Sequence, residues 1–325
     1  MKRRPRRLRR DGIRELVAET TVDRDDLIAP VFVDATIDVA DPIESMPGYE
    51  RQPVADVGAY IERLRSTGVA AVILFGIPGA KDEQGSLAWA DDGVIQQALT
   101  AVDDQVDDAL TVITDVCLCE YTSHGHCGVL EPEGDKSGLT VDNDASIELL
   151  ARTAVSHADA GADMVAPSAS LDGMVGAIRQ SLDGAGHQTV STMSYSAKYH
   201  SAFYGPFRDA ADGAPAFGDR RHYQMDPANR REAMREVHLD IEEGADILMV
   251  KPALPYLDVI SDVADAVDLP VAAYHVSGEY AMLMAADERG WLDAEATALE
   301  SLTSIKRSGA DLIISYTTPM LIEQL

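Results

Sequence analysis

The segment that decides the fold is GADILMV at residues 244–250, in which a glycine and a small residue lead into a continuous apolar run. The same pattern occurs as GVAAVIL at 68–74, GADMV at 161–165 and GADLII at 309–314. Glycine suits the left-handed residue that closes a helix, and a continuous apolar run is typical of a parallel strand buried on both faces. The pattern therefore predicts a helix–strand unit repeated along the chain.

Further apolar runs bring the number of strand candidates to eight: residues 27–33, 110–116, 189–194 and 270–276. Amphipathic helical stretches separate these candidates. Eight alternating units predict a single (β/α)8 TIM barrel at residues 26–325, preceded by an extended N-terminal arm at residues 1–25. An open doubly wound sheet is the alternative, but no phosphate-cradling glycine motif follows the first predicted strand.

The connection after the fifth predicted strand differs from the others. Residues 197–225 contain glycine, proline, aromatic residues and arginines without helical periodicity. Asp226 and Pro227 then predict the cap and first turn of a helix. A connection of about thirty residues in a compact domain is usually functional or disordered. Its aromatic residues and arginines favour an active-site lid.

Charge is distributed unevenly along the chain. Lys+Arg total 27 against 55 Asp+Glu, and seven of the basic residues lie in the first ten positions: Lys2, Arg3, Arg4, Arg6, Arg7, Arg9 and Arg10. Without those seven, 20 basic residues face 55 acidic ones, a net charge of −35. A body this acidic repels nucleic acid and anionic membranes, and its carboxylates favour solubility in concentrated salt. We therefore expect a halophilic host.

The basic arm has two interpretations. It is either a nucleic-acid-binding tail or a segment that lies against the acidic body of a neighbouring subunit, and the charge of the body favours the second. No apolar run reaches the roughly 20 residues that cross a bilayer, and no signal peptide follows the arginines. The sequence thus predicts a soluble, cytoplasmic homo-oligomer without nucleic-acid or membrane partners.

The three cysteines of the chain, Cys117, Cys119 and Cys127, lie within eleven residues of one another. Their odd number and close spacing argue against a disulfide framework. Three thiolates at the carboxyl end of a barrel strand can bind one borderline-soft cation and leave its fourth position open. We predict zinc; buried apolar cysteines are the alternative. His124 and His126 are interpreted as loop residues rather than metal ligands.

The segment DVCLCEYTSHGHCG at residues 115–128 resembles the zinc motif of the porphobilinogen synthase family, also called the delta-aminolevulinic acid dehydratases. Five later segments resemble the same family: SYSAKY at 194–199, FYGPFRDA at 203–210, YQMDPAN at 223–229, LMVKP at 248–252 and YHVSGE at 274–279. The resemblance extends from RRPRRLR at 3–9 to Tyr316. It implies a lyase that condenses two molecules of 5-aminolevulinate to porphobilinogen, with loss of two waters, in tetrapyrrole (heme) synthesis.

The resemblance implies roles for two lysines. Lys251 would form the Schiff base with the substrate that becomes the propionate side, and Lys198 would engage the acetate-side substrate. Both end predicted strands and so project into one barrel mouth. A free lysine, with a pKa near ~10.4, is a poor nucleophile at neutral pH, but a second ammonium or a dry pocket lowers that pKa. Asp115 would assist as a base or hydrogen-bond acceptor, and zinc would polarise the second substrate's carbonyl or bind its amine.

Two groups of residues would hold the substrate carboxylates if the resemblance extends to them. Arg208, Arg220 and Gln224 of the lid would bind the carboxylate of the second substrate, and Ser277 and Tyr316 that of the first. A guanidinium matches a carboxylate bidentately, which suits arginine to this role. On spacing alone, the two arginines fit solvated loop charges equally well.

Three further expectations follow from the resemblance. Glu236 resembles the position at which part of the family binds an activating magnesium outside the active site, although a helical glutamate is usually only solvated. The family usually has PSDMMDG after the fourth strand, where this chain reads PSASLDG at 167–173. Ala169 thus removes any hydrogen bond that an acid makes there, whereas Ser168 and Asp172 remain, Ser168 as a substrate-binding candidate. The family's octamer of arm-embraced dimers is the implied assembly.

Two other functions fit parts of the pattern. A class I Schiff-base aldolase on the same barrel needs one lysine and no metal, so the cysteines and the lid arginines argue against it. A non-enzymatic zinc module that binds RNA through residues 3–10 is disfavoured by the acidic body and by the two lysines.

Overall fold

The computed structural model describes residues 6–106, 110–131 and 141–325. Within these ranges ten strands form one sheet: β1 Leu27–Asp34, β2 Asp41–Pro42, β3 Glu50–Pro53, β4 Ala71–Ile77, β5 Thr111–Val116, β6 Met164–Pro167, β7 Ser191–Lys198, β8 Ile247–Lys251, β9 Val271–His275 and β10 Leu312–Ser315. The α-helices are α1 Ile13–Leu16, α2 Val57–Thr67, α3 Val94–Asp103, α4 Asn143–Asp159, α5 Met174–Ala185, α6 Gly205–Ala210, α7 Arg230–Glu243, α8 Leu257–Ala266, α9 Ser277–Glu288, α10 Ala294–Arg307 and α11 Thr318–Leu321.

Eight of these strands close into a parallel barrel. The order is β1, β4, β5, β6, β7, β8, β9 and β10, and β10 pairs back onto β1 with Ile313 opposite Leu27. The short strands β2 and β3 pair with each other, and β3 joins the far end of β1. The predicted (β/α)8 barrel is therefore confirmed, and each of the eight predicted strands is present.

The barrel strands are buried on both faces, as predicted, and most of them are apolar, although β7 contains three serines and a threonine. All eight residues of β1 are buried. Phe32, Ile73 and Met249 pack in a cluster inside the barrel, whereas Val31 and Leu74 belong to a second cluster that includes the inner faces of the surrounding helices. The carboxyl ends of the strands, above this core, are left for the polar residues of the site.

The glycine and the aspartate of the three GAD repeats, at residues 161–163, 244–246 and 309–311, have separate structural roles. Gly244 closes α7 with φ of 98°, a left-handed conformation that favours glycine, as predicted. The acid was not assigned a role from the sequence. In each of these repeats the aspartate carboxylate accepts one backbone N–H, from the first or second residue of the preceding barrel strand. Asp163 accepts from Val112 at 2.8 Å, Asp246 from Thr192 at 2.8 Å and Asp311 from Val271 at 2.9 Å. These acids therefore tie neighbouring strands together at the amino end of the barrel.

The connection after β7, residues 199–225, is called the lid below. Although this segment shows no helical periodicity in the sequence, its first part is helical, because a 3-10 turn at Ala202–Tyr204 leads directly into α6. Pro206 fits the first turn of α6, where no N–H is needed. Six residues are too few for an apolar period to be visible in the sequence.

The boundaries of the lid also differ from the prediction. β7 continues to Lys198, with an irregular register between Ser194 and Ala197, so that the strand is longer than its apolar run. Helix α7 begins at Arg230 rather than at the predicted cap and first turn, because the Asp226 carboxylate accepts the N–H of Ala228 and forms a separate turn.

The N-terminal arm has few contacts with its own barrel. Lys2, Arg3 and Arg4 of the basic arm lie outside the described residues. No residue from 6 to 21 is buried, and Leu8 and Leu16 are 47% and 84% exposed. Subunit contacts of the arm remain a prediction. No helix in the described ranges has both the length and the apolar character of a membrane span.

Candidate active site

Two lysines define the site at the carboxyl ends of the barrel strands. Lys198 and Lys251 are the last residues of β7 and β8 and lie opposite each other in the parallel register. Each is only 6% exposed. Both project into one cavity, as predicted from the strand ends. The cavity is lined by Asp115, Cys119, Glu120, Ser168, Lys198, Tyr204, Phe207, Arg208, Arg220 and Lys251.

Aromatic rings surround the amine of Lys251. Its Nζ lies 4.2 to 5.3 Å from four ring centroids, those of Tyr274, Tyr195, Phe207 and Tyr204. Burial in this environment, and then the charge of Lys198, lower the pKa of Lys251 to about 7. The direction agrees with the expectation from the sequence, and burial lowers the pKa of Lys251 more than the charge of Lys198 does. A substantial fraction of Lys251 is thus a free amine at neutral pH.

Lys198 is connected to Asp115 by hydrogen bonds through Ser168. Its Nζ donates a hydrogen bond to the carbonyl oxygen of Ser168, and the Ser168 hydroxyl donates to Oδ2 of Asp115 at 3.1 Å. Burial, and then the neighbouring Glu120, raise the pKa of Asp115 to about 7, against the opposing effect of the two lysines. A carboxyl group with this pKa can both accept and release a proton near neutrality.

The three cysteines converge in the loop that follows β5. All are free and buried, and their Sγ atoms lie within 4.8 Å of one another, with Cys117 and Cys119 at 3.2 Å. A tetrahedral zinc ion with bonds of about 2.3 Å places its sulfur ligands roughly 3.8 Å apart. The spacing therefore fits one ion of that size with three protein ligands. In the described part of the chain, no other His, Cys, Asp or Glu set converges as closely.

The two histidines of the same loop make other contacts. The ring nitrogens of His126 lie 3.1 Å from the Tyr223 hydroxyl and 3.1 Å from the Phe217 carbonyl oxygen, both on the lid. His124 accepts the N–H of His126 and contacts the carbonyl oxygen of Glu83. These contacts agree with the interpretation of both histidines as loop residues, and they join the cysteine loop to the lid.

The three predicted carboxylate-binding residues of the lid are held in different ways. Nη2 of Arg220, which is buried, donates to the carbonyl oxygens of Gly125 at 3.0 Å and Gly213 at 2.6 Å. Arg208 lines the same cavity, and burial followed by the charge of Arg220 lowers its pKa. Both amide atoms of the Gln224 side chain are buried without a hydrogen-bond partner among the described residues. Unpaired polar atoms of this kind are costly unless a ligand or water satisfies them.

Ser277 and Tyr316, the two residues predicted to bind the carboxylate of the first substrate, lie on the Lys251 side of the site. The Tyr316 hydroxyl is 2.8 Å from the hydroxyl of Tyr274, whose ring faces Lys251. The Ser277 hydroxyl accepts the backbone N–H of Phe207 at 2.9 Å, so this residue also contacts the lid. The structure therefore separates the two sets: Tyr316 approaches Lys251 through Tyr274, and the two arginines share a cavity wall with Cys119.

Five residues of the site were not predicted from the sequence. They are Glu120, whose Oε1 lies 3.1 Å from Cys119 Sγ, and the four aromatic residues around Lys251. Glu120 stands inside the cysteine motif, and an acid there was a usable signal. The irregular register of β7 hides Tyr195, because simple alternation does not give the direction of its side chain.

The two remaining positions lie outside the catalytic cavity. Ala169 is fully buried in the apolar core, where an acid would need its own partner. Glu236, on α7, is half-buried and lines a separate cavity of about 370 Å³ together with Asp172, Glu232 and Asp240. Burial, and then the charge of Asp172, raise the pKa of Glu236. Lys198 and Gln224 border this second cavity as well.

The chain is similar to known proteins over almost its whole length. The sequence model of the delta-aminolevulinic acid dehydratase family matches residues 2–324. A delta-aminolevulinic acid dehydratase from Archaeoglobus fulgidus is 54% identical over 322 residues, which cover 99% of this chain and 98% of that protein. One from Halalkalibacterium halodurans is 53% identical over 315 residues, covering 97% of this chain and 94% of that protein.

A solved structure agrees with the architecture. The crystal structure of delta-aminolevulinic acid dehydratase (porphobilinogen synthase) from Toxoplasma gondii, in complex with the reaction product porphobilinogen, matches with a TM-score of 0.95. The two sequences are 42% identical, and the match covers 100% of this chain and 92% of the other.

Proposed function

Because this chain belongs to the delta-aminolevulinic acid dehydratase family, we propose that it condenses two molecules of 5-aminolevulinate to porphobilinogen, with loss of two waters. This is a lyase reaction of porphyrin and heme biosynthesis. The observation that carries the proposal is the pair of buried lysines, Lys198 and Lys251, opposite each other at the ends of neighbouring strands. One amine for each substrate suits a reaction between two ketones.

Lys251 is the proposed nucleophile. Its free amine attacks the ketone carbon of the first substrate, and the adduct loses one water to give a protonated Schiff base. The surrounding rings, with Tyr274 nearest at 4.2 Å, exclude water and interact favourably with the cation that forms. The pKa of about 7 leaves enough free amine for the attack at neutral pH.

Lys198 and Asp115 are proposed to act on the second substrate. The carbonyl oxygen of Ser168 holds the Lys198 amine in place, and the hydroxyl of the same serine holds Asp115. Asp115, with a pKa of about 7, is suited to take a proton as the new bonds form.

The two substrate carboxylates are assigned to two sets of residues. Arg208 and Arg220 line the catalytic cavity with Cys119, and Gln224, whose amide atoms are buried without a partner among the described residues, borders the neighbouring cavity. These three are proposed to bind the carboxylate of the second substrate. Ser277 and Tyr316 are proposed to bind that of the first substrate, because Tyr316 contacts Tyr274 beside Lys251 and Ser277 contacts the backbone of Phe207.

Zinc is the proposed metal at Cys117, Cys119 and Cys127. Three thiolates prefer zinc to a hard cation such as magnesium. When bound by these thiolates, the ion would supply a Lewis acid to the cavity that Cys119, Asp115 and Arg220 line.

The function is tested by incubating the purified, zinc-loaded protein with 5-aminolevulinate and assaying for a pyrrole product. Porphobilinogen should accumulate at half the molar amount of substrate consumed. A borohydride-trapped adduct without any pyrrole would contradict the proposal and favour the class I aldolase.

We also propose that Glu236 contacts an activating magnesium ion. The acids around it do not converge tightly enough to form a three-ligand site, so most of the ion's ligands would be waters, as magnesium commonly retains. Magnesium should stimulate the zinc-loaded enzyme, and Glu236→Gln should remove that stimulation. Equal stimulation of both proteins would argue against the assignment.

The arm is proposed to pack on a neighbouring subunit in an octamer. None of its described residues 6–21 is buried on its own barrel, Leu8 and Leu16 are exposed, and its arginines complement an acidic body. Deleting residues 1–10 is expected to give a smaller and less active species, because it removes the seven basic residues that are proposed to contact the neighbour. Light scattering measures the mass, and an unchanged mass would contradict the prediction.

A cytoplasmic location is proposed from the cysteines, since three adjacent free thiols persist in a reducing compartment. The net charge of −28 supports a salt-rich host. Activity that survives in concentrated potassium chloride would agree with that host.

A further inference from the structure

We propose that Arg51 and Lys81, two residues outside the catalytic cavity, position lid helix α6 over the reacting lysine. This inference rests on the proposed function. α6 carries Phe207, whose ring lies 5.2 Å from Lys251 Nζ, and Arg208, which lines the cavity. Any displacement of α6 therefore moves an aromatic wall of the nucleophile and a proposed substrate ligand together.

Arg51 binds the last turn of α6. Its Nε donates to the carbonyl oxygen of Ala210 at 2.8 Å, and its Nη2 donates to that of Asp209 at 2.7 Å. The final carbonyl groups of a helix have no partner within the helix, so an external donor stabilises this end. Ser45 adds a third contact, because its hydroxyl donates to the Asp209 carboxylate at 2.7 Å.

The guanidinium of Arg51 is held in place from the barrel side. Arg51 lies in β3, opposite Phe32 of the barrel strand β1. Its Nη1 is 3.6 Å from the carboxylate of Asp41 and 3.9 Å from that of Asp34, which is buried. Arg51 therefore connects the lid to the rigid sheet rather than to another loop.

Lys81 binds Asp212, which lies two residues beyond the end of α6. Its Nζ contacts the carbonyl oxygen of Asp212 at 2.5 Å and the carboxylate of the same residue at 2.7 Å. Asp212 has φ of 47°, a left-handed conformation that is uncommon for residues other than glycine, although aspartate adopts it more readily than most. The double contact from one ammonium restrains Asp212 in this conformation.

The loop that carries Lys81 is itself well ordered by hydrogen bonds. The carboxylate of the next residue, Asp82, accepts the backbone N–H groups of Gln84 and Gly85 at 2.9 and 2.6 Å. The carbonyl oxygen of Asp82 accepts the N–H of Ser123, in the cysteine loop, at 2.8 Å. Lys81 thus joins the lid to a turn that is already fixed against the proposed metal loop.

The two contacts are expected to favour the closed position of the lid. The side chains of Arg51 and Lys81 are 23% and 22% exposed, so salt screens their contacts less than those of fully exposed pairs. Without them, the carbonyl groups at the end of α6 are satisfied by water as the lid opens. Opening withdraws Phe207 from Lys251 and Arg208 from the second substrate, and so weakens substrate binding.

The test compares Arg51→Ala, Lys81→Ala and the double variant with two matched controls. Arg179 donates to the carbonyl oxygens of Val190 and His187, and Lys306 binds the Asp26 carboxylate and the Asp311 carbonyl oxygen. Both controls make the same kinds of contact at the amino end of the barrel. Arg179→Ala and Lys306→Ala therefore remove hydrogen bonds of the same kinds at the barrel end opposite the lid.

Limited proteolysis without substrate is the first measurement. In the double variant, cleavage within the lid should be faster by about tenfold, because cleavage follows the population of the open lid. The controls should be cleaved there at the wild-type rate. The second measurement is kinetic: the KM for 5-aminolevulinate should rise about tenfold in the double variant, because Arg208 is withdrawn from the substrate. The change in kcat should be smaller, since Tyr195 and Tyr274 lie on barrel strands and stay beside Lys251 when Phe207 moves away.

Wild-type lid cleavage and an unchanged KM in the double variant would overturn the inference, as would equal effects in the controls. If the double variant does not fold, Lys81→Met keeps the aliphatic stem, removes the charge and is judged by the same two measurements. The proteolysis needs no substrate, so it decides the position of the lid even if the wild-type protein forms no pyrrole and the proposed function fails.

Discussion

Lys251→Arg is expected to lower porphobilinogen formation by several orders of magnitude, since the variant keeps the positive charge but has no nucleophilic amine. A guanidinium stays protonated at any working pH and cannot attack a ketone. The side chain at position 251 has a well-defined place, because Lys251 ends the buried strand β8 and its amine lies among four aromatic rings. The turnover number, the zinc content and the oligomer mass should be measured together, and only the first should change.

The covalent adduct gives a direct check of this assignment. Borohydride treatment in the presence of 5-aminolevulinate should leave one adduct on the peptide that contains Lys251, and none in Lys251→Arg. Lys306→Arg, a lysine of the opposite barrel end that contacts Asp26, serves as the control and should be labelled like the wild type. An adduct found only on Lys198 would show that the two lysines are assigned the wrong way round.

The pH dependence of adduct formation should follow the amine of Lys251. Its pKa is lowered to about 7 by burial first and by the charge of Lys198 second. Below that pH the amine is protonated and has no lone pair for attack, so trapping should slow; above it trapping should reach a plateau. Lys198→Met removes one cause of the lowering, and the midpoint should then move to higher pH. A midpoint that stays in place would exclude a direct effect of Lys198 on the nucleophile.

Metal removal is expected to have the second large effect. A chelator should abolish turnover and zinc should restore it, because the three thiols converge at one point and offer the soft ligands that zinc prefers. Magnesium should not restore it, since that ion prefers oxygen ligands. The fold should largely survive, because the cysteines lie in a loop beyond β5 and none of them belongs to the apolar cluster inside the barrel, although all three are buried.

Three measurements together decide this prediction. Metal analysis should give one zinc per chain, and Cys127→Ser should lower both the zinc content and the turnover. Circular dichroism and the melting temperature of the metal-free protein report whether the barrel is intact. Full activity in metal-free protein would refute a catalytic role for the ion, and global unfolding on chelation would show a structural one.

The lid shows how far local patterns reach. The sequence predicted a functional connection after the fifth strand from its length and composition, and it placed Arg208 and Arg220 there. It did not predict α6, because a six-residue helix stabilised from outside has no detectable period. Nor did it predict Arg51 as a lid contact, since the partners Ala210 and Asp209 lie 159 and 158 residues further along the chain.

The sequence by itself predicted the barrel and, near the carboxyl ends of its strands, the cysteines and lysines that are proposed to carry the chemistry. Apolar runs, closing glycines and the Cys117 to Cys127 motif are local signals, and parallel closure brings every strand end to one mouth. Only the tertiary structure decided the environment of those residues. The pKa of Lys251 depends mainly on burial among rings from three different segments, and burial is a property of the assembled fold. Contacts of this kind join residues far apart in the chain, so no local pattern encodes them.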